Sequence, residues 1–237
     1  MEKYRKLVGY SMNGKLIVIE GTDCSGKETQ SNLLIEKLKK NNIRIEKFSF
    51  PNYNSPTGKI VGGPYLGKSY ICEGWFSEGA PNVDPKVSSL YYAADRLYNI
   101  DKIRFLLDNG VNVILDRYTF SNMAHQGGKL HDERLRNDMY EWLDELEFNL
   151  LGLPRPDIGV FLHMPFSCSI SLKKNRKEDL DELERDKNHL LDAENAYIEL
   201  ADKYKFYTIE CNDGERIKSI EEINNDLYNY VMNKLNS

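Results

Sequence analysis

The residues with the clearest chemical purpose stand near the amino end, as Gly21-Thr22-Asp23-Cys24-Ser25-Gly26-Lys27-Glu28-Thr29 directly after a short apolar run from Leu16 to Ile19. Glycines at such positions allow a tight turn whose successive N–H groups face one phosphate, and the helix that follows adds the positive end of its dipole. Lys27 then reaches the outer phosphates of a nucleoside triphosphate as a point charge. The residue after that lysine is usually Ser or Thr, whose hydroxyl meets Mg²⁺. Here it is Glu28, with Thr29 next. Adjacent helical residues point about 100° apart, so Thr29 does not simply inherit the role. Glu28 is instead expected to meet the metal, directly or through water, because carboxylate oxygen suits Mg²⁺.

A second group of chemistry-bearing residues follows a later apolar run. Asp116-Arg117-Tyr118 is followed by Ser121 and then by His125-Gln126-Gly127-Gly128. An Asp at a strand tip can organise metal-bound water, and Arg offers a planar fork to phosphate oxygens. By itself the Asp-Arg pair serves equally well as a salt bridge that closes a turn. Upstream, Tyr92 and Arg96 are four residues apart and share one helical face. That pair suits a stacked and hydrogen-bonded base, or else a packed aromatic beside a surface charge.

The elements that must position these groups alternate. Runs rich in β-branched residues recur at Leu16 to Ile19, Ile43 to Phe50, Val111 to Leu115, Ile158 to Leu162 and Phe206 to Ile209, each resembling a strand buried on both faces. Between them lie helical patterns at Thr29 to Lys40, Asp84 to Asn109, Asp132 to Leu151, Ser167 to Arg176, Asp181 to Lys203 and Ser219 to Leu235. Asp84-Pro85 reads as a helix start, Asn109-Gly110 as a stop, and Ser219 with Glu222 as a capping box. Strand alternating with helix means an α/β fold, a parallel sheet with helices on both faces and ligands at the carboxyl ends of the strands. Two stretches break the rhythm. Residues 52–83 are rich in Gly, Pro, Tyr and Asn and too long for an ordinary connection, and 175–187 is a charge run that taken alone reads as a solvated helix face.

A length of 237 residues fits one large domain with an elaboration better than two unrelated ones. A formal net charge of −5 repels polyanions, so no nucleic-acid partner is expected and any phosphate must be held locally. Cys24, Cys72, Cys168 and Cys211 lack CxxC or His spacing, which points to reduced thiols in the cytoplasm rather than to disulfides or zinc. Neither a secretory leader nor a run of about 18 apolar residues is present, so no membrane association is expected.

Taken in order, Gly-Thr-Asp-x-x-Gly-Lys, Phe50-Pro51, Ala94-Asp95-Arg96, Asp116-Arg117-Tyr118-x-x-Ser121 and Gly152-Leu-Pro-Arg-Pro-Asp157 resemble thymidylate kinase, a nucleoside monophosphate kinase of the P-loop superfamily. The resemblance implies a P-loop NTPase three-layer sandwich: a parallel five-stranded sheet, helices on both faces and a small lid over residues 175–187, with residues 1–14 an N-terminal extension. It implies ATP and Mg²⁺ as cofactors, dTMP as substrate, dTDP as product and a homodimer. By likeness, Asp23 contacts the deoxyribose 3′-hydroxyl. Phe50, Leu66, Tyr92 and Arg96 form the thymine and monophosphate pocket with Ser121 nearby, and Gln126 reads the thymine edge. Arg117 meets phosphate between donor and acceptor, and Arg176 in the lid stacks on adenine or touches phosphate; the metal is left to Glu28 and Asp116 on the chemistry given above. Three departures stand out. Cys24 replaces a P-loop arginine found in some members, leaving Arg176, Lys177 or Arg185 to supply transition-state charge. Tyr53 stands where many members place an arginine, so that Arg96 and Arg117 would share the monophosphate, and residues 58–85 form a longer insert. The alternatives are a deoxynucleoside kinase, which needs a carboxylate base that Phe50-Pro51-Asn52-Tyr53 does not supply, and a non-catalytic nucleotide-binding regulator.

Overall fold

The computed structural model describes residues 14–173, 180–214 and 216–236. Among them five strands form one parallel sheet: β1 (Leu16–Gly21), β2 (Ile45–Ser49), β3 (Asn112–Asp116), β4 (Ile158–His163) and β5 (Tyr207–Glu210), in the order β2-β3-β1-β4-β5. The helices are α1 (Lys27–Lys40), α2 (Pro56–Ile60), α3 (Pro85–Asp108), α4 (Thr119–Gly127), α5 (Glu133–Asp144), α6 (Phe166–Lys173), α7 (Glu182–Arg185), α8 (Lys187–Lys203) and α9 (Ile220–Leu235). β1 lies at the centre, every residue of it buried. Its side chains alternate between two cores: Leu16 and Val18 pack with Ile103 of α3, Met123 of α4 and Leu200 of α8, while Ile17 and Ile19 pack with Leu34 of α1 and Val231 of α9. Each such aliphatic side chain contributes about 1.5–3 kcal/mol when fully buried, which explains why the strands read as unbroken apolar runs.

The expected helix signals hold. The Asp84 carboxylate accepts from the N–H groups of Lys86 and Val87 ahead of Pro85, Gly110 takes a φ of 70° after the end of α3, and Ser219 with Glu222 completes its capping box. The pattern from Asp181 to Lys203, expected as one helix, is two. Asp186 stays extended and its side chain accepts from the N–H groups of Asn188 and His189, so one cap ends α7 and begins α8. Residues 52–83 are not an open loop either. They hold α2, a wide π-helical turn at Val61–Tyr65 and a short turn at Ala80–Asn82, built around Val61, Tyr65, Leu66, Ala80 and Val83. No helix of the described residues is long and apolar enough to cross a membrane. Residues 1–13 of the expected extension and Arg176 and Lys177 of the expected lid lie outside the described residues.

Candidate active site

The phosphate-loop sequence turns as its glycines predict. Gly21 ends β1 where a Cβ would lie 2.5 Å from Ser25 Oγ and 2.7 Å from the Leu162 carbonyl, so no larger residue fits. Gly26 caps α1 with φ 76° and no side-chain cap, and Cys24 also turns left-handed at φ 60°. The loop is tied to β4 through Thr22, whose Oγ1 donates to the Met164 carbonyl at 2.7 Å and whose own N–H meets the Leu162 carbonyl at 3.3 Å. Lys27 is buried, with its Nζ donating to the carbonyls of Gly21 and Thr22 at 2.8 Å each. Burial, reinforced by the neighbouring Arg117 charge, lowers its pKa to about 8. Glu28 and Thr29 are both exposed on the first turn of α1 and both line the cavity described next.

A cavity of about 670 Å³ runs from this loop past the carboxyl ends of β2 and β3. Asp23, Phe50, Leu66, Tyr92, Arg96, Asp116, Arg117 and Ser121, all singled out from sequence, line it together. Arg117 stands at its middle with φ 67°. It donates from Nη2 to Asp23 Oδ1 at 3.4 Å and from Nη1 to Ser121 Oγ at 3.3 Å and the Tyr197 hydroxyl at 3.2 Å. Asp116 keeps its carboxylate 3.7 Å from the ammonium of Lys47. Behind Arg117 lies Glu20, which no motif singled out. Its buried carboxylate accepts from the N–H groups of Tyr118 (2.8 Å) and Ser121 (3.1 Å) and from Ser121 Oγ (2.5 Å). Burial raises its pKa against these hydrogen bonds. The only hint of it in the sequence was one acid inside the apolar run Leu-Ile-Val-Ile-Glu-Gly.

The base side of the cavity differs from expectation at two positions. Arg96 does reach the wall, but its Nε and Nη2 are engaged at 2.5 and 2.6 Å by Glu147, so its charge is already met and it is poorly suited to hold a monophosphate. Gln126 is fully buried, donates to the Tyr65 hydroxyl at 3.4 Å, and is not among the residues lining the cavity. Asn122, one turn earlier on α4, lines it instead, and its Oδ1 has no hydrogen-bond partner among the described residues. Asp95 does structural work. Its carboxylate accepts from Asn52 N–H, Ser55 Oγ and Thr57 Oγ1 at 2.8–2.9 Å, which clamps the segment after β2 onto α3 and puts Tyr53 in the cavity wall.

The described part of the expected lid closes over this side. Leu183 inserts beside Leu66 and Tyr65, Ala80 N–H donates to Glu182 Oε2 at 2.6 Å, and Lys68 pairs with Asp181 at 3.1 Å. Lys68 also stands 5.3 Å from the centre of the Tyr53 ring, which makes it a cavity-lining cation beside the position where the arginine was missed. Arg185 is exposed. Half-buried His125, in the same wall, shares a 3.1 Å hydrogen bond with buried His189. Desolvation lowers both pKa values, that of His189 to about 4, so the pair is neutral at pH 7.

Comparison with known proteins points to one family. The model of the thymidylate kinase family matches residues 19–223. The chain is 29% identical to a thymidylate kinase of Schizosaccharomyces pombe over 93% of its own length and 92% of that protein, and 31% identical to a probable thymidylate kinase of Methanocaldococcus jannaschii over 94% and 98%. A solved thymidylate kinase structure from Candida albicans has the same fold, with a TM-score of 0.70, 24% identity, and coverage of 94% of this chain and 93% of that one. With a phosphate loop, a strand-end Arg117 and a walled acceptor cavity in one cleft, and with the family model spanning most of its length, the chain belongs to the thymidylate kinase family.

Proposed function

We propose that the protein transfers the γ-phosphoryl group of ATP to the phosphate of dTMP, giving dTDP and ADP for deoxynucleotide synthesis. The observation that carries this reading is the single cleft in which Lys27 and the phosphate loop face the acceptor wall, with Arg117 between them. An oxygen of the dTMP phosphate forms the new P–O bond as the bond from γ-phosphorus to the bridging oxygen breaks, and ADP leaves. The acceptor's second pKa is about 6, so it is ionised at pH 7 and no general base is required. Alignment and charge neutralisation then carry the catalysis. Lys27 and the loop amides hold the donor phosphates, Arg117 and Lys68 meet the acceptor phosphate, and Asp23 is in place for the sugar hydroxyl. Phe50, Leu66 and Tyr92 enclose the base, with Asn122 Oδ1 as acceptor for its ring N–H. ADP release coupled to dTMP but not to thymidine is the expected assay result. Transfer to thymidine instead would establish a nucleoside kinase, and nucleotide binding without ADP release a regulator.

Mg²⁺ belongs to the same proposal. Among the described residues no group of three or more metal-binding side chains forms a cage. Mg²⁺ beside nucleotide phosphates needs only one or two carboxylates, and Glu28 and Asp116 in the cleft wall meet that requirement. When bound, the ion neutralises charge on the phosphate oxygens. Glu28→Ala is expected to raise the Mg²⁺ concentration needed for half-maximal rate by about tenfold, as loss of one ligand contact does. An unchanged Mg²⁺ titration would remove Glu28 from this role.

We also propose a homodimer. Val87, Leu90, Leu97, Tyr98 and Phe105 fall on one stripe of α3 and each is more than 40% exposed, an apolar face suited to a second copy of the chain. Sedimentation equilibrium is expected to give twice the chain mass, and Tyr98→Glu to return it to that of the monomer.

A further inference from the structure

Glu147 belongs to none of the sequence motifs. It sits fully buried in the wide turn that continues α5 (Glu145–Leu150), and it is not among the residues lining the cavity. Its carboxylate nevertheless accepts four hydrogen bonds. Oε1 receives Arg96 Nη2 at 2.6 Å and Asn122 Nδ2 at 3.2 Å, and Oε2 receives Arg96 Nε at 2.5 Å and Thr119 Oγ1 at 3.0 Å. Both oxygens are thus used, as a buried carboxylate requires. Three of the four donors belong to residues of the cavity wall, two on Arg96 of α3 and one on Asn122 of α4.

The orientation of each follows from this carboxylate. Asn122 Nδ2 donates to Glu147 and to the Ser89 carbonyl at 3.3 Å, so the other amide atom is the oxygen, and that oxygen has no partner among the described residues. The Arg96 guanidinium is gripped along its Nε–Nη2 edge and cannot rotate, which leaves its remaining N–H groups directed away from Glu147. Both residues line the cavity with little exposure, 2% each, and a base seated there would meet the Asn122 oxygen as a fixed acceptor and the free Arg96 edge as a fixed donor. A pyrimidine edge with a ring N–H beside a carbonyl oxygen, as in thymine, complements that pair. Cytosine carries a ring nitrogen acceptor beside an amino donor and opposes it at both atoms.

We propose that Glu147 is a positioning residue that sets base specificity by holding Arg96 and Asn122 in the arrangement complementary to thymine and opposed to cytosine. The proposal rests on reading the cavity as the dTMP site. It is tested by measuring kcat/KM for dTMP and dCMP, with KM for ATP, in Glu147→Gln, Glu147→Asp and Asn122→Ala. Glu147→Gln keeps the shape but replaces one acceptor by a donor facing Arg96 or Asn122, and Glu147→Asp keeps the charge but withdraws it by one methylene. Both are expected to lower the dTMP to dCMP ratio about tenfold, mainly through KM for dTMP, with KM for ATP within about twofold. Should the Gln variant lose cooperative melting, the Asp variant supplies the same comparison. If the ratio falls in Asn122→Ala but not in the Glu147 variants, or if KM for ATP rises alongside, the positioning role is overturned while the base-site reading stands. If Asn122→Ala leaves the ratio intact, the base-site reading fails and takes this proposal with it.

Discussion

Lys27→Ala is expected to lower kcat by about 10²–10³-fold, the usual consequence of deleting one preorganised charge from a phosphoryl-transfer site. The side chain is buried, and its ammonium is held by the carbonyls of Gly21 and Thr22 in the phosphate-loop motif. Its position is therefore set before any nucleotide arrives, and the group has no reorganisation to undergo during transfer. The same burial gives a pH signature. With the pKa lowered to about 8, the amine is charged below that pH and neutral above it, so kcat/KM for ATP should decline as pH rises through 8. Lys27→Arg keeps its charge throughout that range and should flatten the decline, while its planar fork cannot reproduce the ammonium's fit between two carbonyls and leaves kcat low. Steady-state rates from pH 6.5 to 9.5 check both statements. Near-normal turnover in Lys27→Ala, with nucleotide still bound, would refute the assignment.

What could be read from the sequence follows the range of the interactions involved. The five strands, the loop at Gly21–Gly26 and the long helix α3 were legible because each is specified by near neighbours: an apolar run, a turn glycine, a cap at Asp84. Helix α4 was not recognised as one. It is only nine residues long, eight of them buried with the polar Ser121, Asn122 and Gln126 included, and Tyr118 gives it no side-chain cap. The break at Asp186 was missed for a similar reason, since apolar spacing continues across a residue whose cap restarts the helix. The partners of Arg96 and Gln126 were hidden for another reason. The carboxylate that occupies Arg96 lies 51 residues away on an irregular turn, and the hydroxyl that takes Gln126 is 61 residues away in the insert. Spacing along a helix identifies which residues share a face, but not which distant group meets them there. The cleft itself was legible because its parts are strand ends, and a parallel sheet brings all of those to one edge.

Arg117→Ala is expected to reduce kcat by about 10³-fold, comparable to removing a transition-state arginine in related phosphoryl transfers. Its guanidinium spans three directions at once, reaching Asp23 in the phosphate loop, Ser121 on α4 and Tyr197 on α8. It therefore stands between the donor loop and the acceptor wall, where negative charge concentrates as the phosphoryl group passes between two anions. The Arg117 side chain is only 26% exposed, so that charge counts for more than a fully exposed one. The backbone supports the placement: Arg117 holds φ 67° while its N–H donates to the Ile19 carbonyl at 3.1 Å, and the next residue's N–H is taken by Glu20. These backbone contacts survive truncation of the side chain, so a melting curve should show a folded protein. Arg117→Lys separates charge from geometry. It restores a cation but only one of the forked contacts, and recovery of no more than about tenfold would show that bridging by the planar guanidinium, rather than net charge, carries the effect. Full recovery by lysine would reduce the role to simple neutralisation, and wild-type turnover in Arg117→Ala would exclude it from the transfer step.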